Sequence, residues 1–170
     1  LDLDAFDANL SAVHARIASA GVSLRAHGKA HKCSAIGRRQ VAAGAVGLCC
    51  QKVGEAEAFV AGGIRDVLVS NVIVGESKAR RLAALAHEAR VAVCVDSALQ
   101  VAQIGAAARA LQATVGVLIE VDVGGRRCGV TGHDETLALA GAIAARAPWL
   151  EFRGLQAYHG RAQHLRAPHE

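Results

Sequence analysis

Short apolar runs alternate with longer amphipathic segments along the chain. Residues 4–20 predict a helix, with Leu10, Val13 and Ile17 on one face. The run VSLRAHGK at 22–29 predicts a strand ending at Lys29. A helix at 35–45 and a strand at 46–52 (VGLCCQK) follow. The helix at 55–61 stops at Gly62-Gly63, a usual C-terminal stop. Strand 66–71 (DVLVSN), helix 76–89, strand 91–97 (VAVCVDS) and helix 98–113 come next. Strand 115–122 (VGVLIEVD), helix 134–147 before Pro148 and strand 150–160 (LEFRGLQAYHG) complete the series.

The strand runs are continuously apolar rather than alternating. Strands buried on both faces have that character, and they pair in parallel with crossover helices between them. Repeated βα units leave an open doubly wound sheet or a (β/α)8 TIM barrel. Polar residues fall at the C-terminal end of nearly every strand: Lys29, Gln51, Asn71, Asp96, Asp122 and Tyr158-His159. An open sheet gathers its ligand groups at one switch point. A barrel carries its chemistry around the whole C-terminal rim, so the barrel is the expected fold. A complete barrel takes about 250 residues. The 170 residues are therefore expected to be a partial barrel domain (1–170), truncated after about six βα units. The start at Leu1 is consistent with missing leading residues.

Composition narrows the function classes. With 52% hydrophobic and 20% charged residues, the chain reads as an ordinary soluble domain. No apolar run reaches the length of a membrane span and no leader is visible, so a cytoplasmic location is expected. The net charge of +4 raises the question of nucleic acid, but the basic residues are dispersed and aromatics make up only 3%. Phosphate tracking needs clustered cations and base stacking needs aromatics, so no nucleic-acid partner is expected. The cysteines, Cys33, Cys49, Cys50, Cys94 and Cys128, are odd in number and form no CxxC. Free thiols, several of them buried in strands, are the expectation.

The densest chemistry lies in RAHGKAHKC. Alternate residues share a face of a strand, so Arg25, His27, Lys29 and His31 would point one way if the strand persisted that far. A lysine crowded by cations and partly desolvated has its ammonium form disfavoured, leaving an amine able to attack an aldehyde. A solvated basic turn is the alternative on composition alone. His27 and His31 have an HxxxH spacing, but the run before them is strand-like and no Glu follows the first His, so no metal site is expected there. In VDVGGRRCGV, Gly124 and Gly125 allow a tight turn from which Arg126 or Arg127 could reach an anion. Tyr158 and His159 stand at the rim of the last strand.

Together these segments carry a resemblance. RAHGKAHKC resembles the RPHxKTHK signature of the D-threonine aldolase and D-serine dehydratase family, fold-type III pyridoxal 5′-phosphate (PLP) enzymes related to alanine racemase. VGLCCQKVGEAEAFVAGGIRDVLVSN, VDVGGRRCGV and GLQAYHGRAQH look similar to the 3-hydroxyaspartate aldolases of that group. The resemblance spans almost the whole chain. It implies an α/β, PLP-binding barrel of alanine racemase type whose C-terminal β-domain is missing here. Lys29 matches the Schiff-base lysine, and Arg127 matches the arginine of DxGxxRxG beside the ring. Tyr158 falls where the family places a ring-contacting side chain, with Gln51 as a further cofactor contact. His31 and His159 join Lys29 as candidate catalytic residues. Ala26 and Ala30 depart from the family's Pro and Thr, which loosens the strand end and removes a hydroxyl contact.

The implied reaction is PLP-dependent retro-aldol cleavage of a β-hydroxy-D-amino acid, with 3-hydroxyaspartate giving glycine and glyoxylate as the first expectation. D-Threonine cleavage, dehydration of D-serine or 3-hydroxyaspartate, and non-catalytic PLP carriage are the alternatives. A divalent metal, Mg or Mn, is implied for the full-length enzyme with ligands outside this chain. The isolated fragment is expected to be inactive and its phosphate cup incomplete. The expected partner is a small amino-acid substrate, with no membrane association, and a homodimer at full length. A dicarboxylate substrate would call for one more cation, for which His31, Lys32 and Arg161 are candidates.

Overall fold

The computed structural model describes residues 2–167. Helix α1 (Leu3–Ser19) precedes five βα units and a last strand. These are β1 (Ala26–His27), α2 (Ser34–Ala42), β2 (Leu48–Cys50), α3 (Val53–Ala61), β3 (Asp66–Val69) and α4 (Glu76–Leu85). They continue as β4 (Arg90–Val95), α5 (Ala98–Ala110), β5 (Val115–Val121), α6 (His133–Ala144) and β6 (Leu150–Ala157). A 3-10 turn spans Gly160–His164.

All six strands are parallel and adjacent in chain order, β1-β2-β3-β4-β5-β6. A doubly wound sheet reverses its strand order at a switch point. Here the order never reverses, so every crossover winds the same way and the sheet curls as part of a barrel. Among the described residues, β1 and β6 are the end strands of the sheet.

Side-chain parity separates two cores. Val67 and Val69 of β3, Val91, Val93 and Val95 of β4, and Val115, Val117 and Ile119 of β5 pack outward in the large cluster that includes the helices' Phe59, Leu82, Ile104 and Ile143. The alternate residues face the concave side. There Leu68, Ala92 and Cys94 are buried with Cys49 and Leu118 packed on them. Glu120 follows Leu118 at the same parity, and its register partner on β6 is Gln156.

The observed elements are shorter than the sequence predicts at several ends, β1 most of all. The expected strand 22–29 reduces to Ala26–His27. The chain turns at once, closed by Lys32 N–H donating to Gly28 O at 2.9 Å, with Lys32 at φ 47°. Gly28 allows the turn to sit on Phe59, because a Cβ there would lie 2.5 Å from the ring. Helix α1 is also different in its packing. Its predicted apolar face is only partly covered: Leu10 and Ile17 are half-buried, Val13 is 48% exposed, and no residue of the helix is fully buried. It is held to α2 by Arg39, which pairs with Asp7 at 3.5 Å and covers the Phe6 ring.

Among the described residues, no helix is long and apolar enough to cross a membrane. All five cysteines are free, with Cys50 and Cys94 buried.

Candidate active site

The strand ends converge on a cavity at the C-terminal side of the sheet. Its wall takes His27 from the end of β1 and Lys29 from the turn after it, Cys49 and Gln51 from β2 and its end, and Ser70 and Asn71 after β3. Glu120 and Gln156 form the part nearest the sheet, with Arg127 and Tyr158 at the outer side. Lys29, Gln51, Arg127 and Tyr158 thus line one cavity.

Lys29 reaches this place from a turn rather than from a strand. Its backbone N–H donates to His27 Nδ1 at 3.2 Å. Burial lowers the pKa of His27, and the Lys29 charge lowers it further, which agrees with a neutral imidazole accepting at Nδ1. Cys49 lies beside them, and burial pushes its thiol pKa up despite a hydrogen bond with Ser70. Gln51 is set by its own backbone N–H, which donates to Glu55 Oε2 at 2.8 Å.

The expected common face of Arg25, His27, Lys29 and His31 does not form, because the strand ends at His27. Arg25 pairs instead with Asp66 at 2.7 Å, at the first residue of β3 and so at the opposite end of the sheet. The His31 ring packs edge-on to Phe59, with Nε2 3.2 Å from Gln40 Oε1 and Nδ1 accepting from Cys33 N–H at 3.1 Å. His27 and His31 therefore serve separate contacts, and among the described residues no cluster of three or more His, Cys, Asp or Glu is arranged to hold a metal.

The loop after β5 is built by two aspartates that the sequence places at the rim. Asp122 Oδ1 accepts from Gly124 N–H and Arg126 N–H, each at 2.9 Å, and the Arg126 contact is the main reason its pKa is lowered. Asp96 accepts from Gln100 Nε2 at 2.8 Å and from Gly129 N–H at 3.0 Å. Gly129 is required there: φ is 108°, and a Cβ would lie 2.5 Å from Asp122 N. Both carboxylates shape the loop that carries Arg127. The Arg127 guanidinium lies over the Tyr158 ring, 4.6 Å from its centroid.

Arg127, Tyr158 and Glu120 also border a second, adjacent cavity. His159 lines that one, with Asp122, Arg161 and His164. His159 is therefore separated from Lys29 by the Arg127–Tyr158 wall.

Glu120 is a residue of the cavity wall that the sequence alone does not single out. It is only 3% exposed, and burial raises its pKa against the opposing charge of Arg127. The signal was a carboxylate inside the apolar run VGVLIEVD, two positions before the Asp122 that drew attention. Equal parity places it on the concave face.

The arrangement fits a flat, anionic, aldehyde-bearing cofactor. It offers an amine (Lys29), an aromatic face (Tyr158), a guanidinium (Arg127) and the amides of Gln51, Asn71 and Gln156 in one cavity.

Known proteins share this fold. The family model described as alanine racemase, N-terminal domain, matches residues 1–170. The chain is 50% identical to D-threonine aldolase of Arthrobacter sp, over all of this chain and 45% of that protein. It is 44% identical to 3-hydroxy-D-aspartate aldolase of Paracoccus denitrificans (strain Pd 1222), over 97% of this chain and 43% of that protein. The crystal structure of D-threonine aldolase from Filomicrobium marinum superposes with a TM-score of 0.94 at 50% identity, covering 98% of this chain and 44% of that one. The chain thus spans somewhat under half the length of these relatives.

Proposed function

Because the chain belongs to the alanine racemase N-terminal domain family, we propose that it forms the PLP-binding barrel of a lyase that cleaves β-hydroxy-D-amino acids. The observation that carries the reading is the meeting of Lys29, Arg127 and Tyr158 in one cavity, from three different strand ends. When bound, PLP supplies an electron sink for the pair of electrons left by carbon–carbon cleavage.

The chain's own groups divide the remaining work. Lys29 holds the cofactor covalently, and the neutral His27 keeps the turn that presents it. Tyr158 provides the face against which a ring stacks. Arg127 provides the cation for an anionic oxygen, and the Gln51 and Asn71 amides provide hydrogen bonds. His159, from the neighbouring cavity, is the base assigned to the substrate hydroxyl proton.

The substrate side chain is read from that neighbouring cavity. Of the three cations considered for a second carboxylate, His31 is engaged by Gln40, and Lys32 lies 3.7 Å from Glu55. Arg161 lines the cavity that shares Arg127 and Tyr158 with the Lys29 site. It supports 3-hydroxyaspartate as the substrate, ahead of D-threonine. A divalent metal is assigned to parts of the full-length protein outside this chain.

The test uses the complete polypeptide with PLP and a divalent metal. Glycine and glyoxylate from 3-hydroxyaspartate support the reading, with Lys29→Ala silent. Glycine and acetaldehyde from D-threonine alone would reassign the side chain. A keto acid plus ammonia would replace cleavage by dehydration. PLP trapped on Lys29 by borohydride without turnover would leave a carrier.

A further inference from the structure

Among the described residues, Glu120 is the one carboxylate in the wall of the Lys29 cavity, which otherwise offers cations and neutral groups. An anionic ligand gains nothing from a carboxylate there, so its presence calls for a reason. A carboxylate that merely fills a core is expected to be fully hydrogen-bonded. Glu120 is not: its Oε2 is buried and has no hydrogen-bond partner among the described residues. Its Oε1 lies 3.9 Å from Arg127 Nη2, and the Arg127 side chain is still 53% exposed. A guanidinium fork matches both oxygens of a carboxylate. A small inward turn of Arg127 would supply the partner that Oε2 lacks and carry the guanidinium into the cavity. The other charged and titratable groups around Glu120 are Cys94 in β4, Asp96 just past its end, and Lys29, His27, Cys49 and Tyr158 in the same cavity wall.

We propose that Glu120 is the positioning residue for Arg127: its carboxylate receives the guanidinium between the Tyr158 ring and the cavity, and so sets the positive charge that the ligand of Lys29 meets. This rests on the reading that Lys29 holds PLP.

The test is a double-mutant cycle on the PLP-loaded, full-length protein, with Glu120→Gln, Arg127→Gln and the double variant. Two quantities are read: PLP affinity, and the pH midpoint of the visible absorbance of Lys29-bound PLP. Loss of a nearby cation raises that midpoint, whereas loss of a nearby anion lowers it. If Glu120 acts by holding Arg127, Glu120→Gln raises the midpoint as Arg127→Gln does. Each single variant then weakens PLP binding by about tenfold, and the double variant is no worse than Arg127→Gln. Glu120→Asp, which keeps the charge, retains part of the wild-type behaviour and serves if the glutamine variant folds poorly. A lowered midpoint in Glu120→Gln, an unchanged affinity, or additive losses in the double variant would overturn the assignment while leaving PLP on Lys29 intact. Absence of any borohydride-trapped PLP on wild-type Lys29 would remove the underlying reading and this inference with it.

Discussion

The guanidinium carbon of Arg127 sits 4.6 Å from the centroid of the Tyr158 ring. The contact joins the loop after β5 to the end of β6, and both residues face the Lys29 cavity. A cation over an aromatic face is worth about 0.5–2 kcal/mol, depending on desolvation. Tyr158→Ala removes the ring and leaves Arg127 unsupported, so PLP affinity should fall by roughly fivefold, in line with about 1 kcal/mol. Tyr158→Phe keeps the ring and should stay close to wild type. Titration of the apo-protein with PLP distinguishes the two, and equal losses in both variants would assign the effect to the hydroxyl instead.

Gly28 carries the turn that presents Lys29. A Cβ there would lie 2.5 Å from Phe59 Cζ, and Phe59 is itself only 2% exposed in the outer core. Gly28→Ala should therefore destabilise the protein by about 1–3 kcal/mol through overpacking. Adding Phe59→Leu should recover part of the loss by vacating the contact. Urea unfolding of the single and double variants measures it. A Gly28→Ala variant as stable as wild type would show that the Phe59 ring moves freely.

Arg25 and Asp66 should behave differently, because their ion pair lies at the end of the sheet away from Lys29. The pair is half-buried, with the side chains 26% and 20% exposed, and Arg90 lies 3.9 Å from the same Asp66. Arg25→Ala should cost about 1 kcal/mol of stability, at the upper end of the range for exposed pairs. It should leave PLP affinity unchanged. A thermal melt and a PLP titration on the same variant give both numbers, and a loss of affinity would restore Arg25 to the site.

The sequence made the barrel legible because parity and polarity agreed. β3, β4 and β5 are apolar on both faces, and a polar residue marks the end of each run, so parallel pairing followed directly. The site was legible to a lesser degree. Lys29, Gln51 and Tyr158 are readable as residues at predicted strand ends, and Arg127 through the glycine turn and the resemblance of VDVGGRRCGV. Arg25 and His31 were misplaced because residues on both sides of β1 look extended by composition. The turn begins at Gly28, where the determining fact is the close approach of Phe59 from α3, a contact distant in sequence. Asp96 and Asp122 look like ligands in a linear reading. Only their distances to Gly129, Gly124 and Arg126 reveal them as loop-builders. The apolar face of α1 is only partly covered, with Leu10 and Ile17 half-buried and Val13 exposed, and periodicity alone cannot say how much of an apolar face is met.

The protonation of Glu120 leads to a pH-dependent stability effect. Burial raises its pKa above the ordinary carboxylate value, partly offset by the Arg127 charge. The folded state therefore holds this proton more tightly than the unfolded chain does. Below the unfolded value, about 4.3, the group is protonated in both states and contributes its full share of stability. As pH rises through the window between the unfolded and folded values, the unfolded chain releases the proton first, and that share is lost. Glutamine cannot ionise, so Glu120→Gln should be more favourable relative to wild type at pH 7 than at pH 4. The difference in melting temperature, variant minus wild type, should thus become more positive across that interval. If the Arg127 attraction outweighed burial, the folded pKa would be depressed and the same difference would become more negative with rising pH. Calorimetric melts of the two proteins at both pH values decide the sign. Because this relative gain in stability with rising pH would accompany the loss of PLP affinity expected from freeing Arg127, the two measurements together separate a carboxylate kept for the ligand from one kept for the fold.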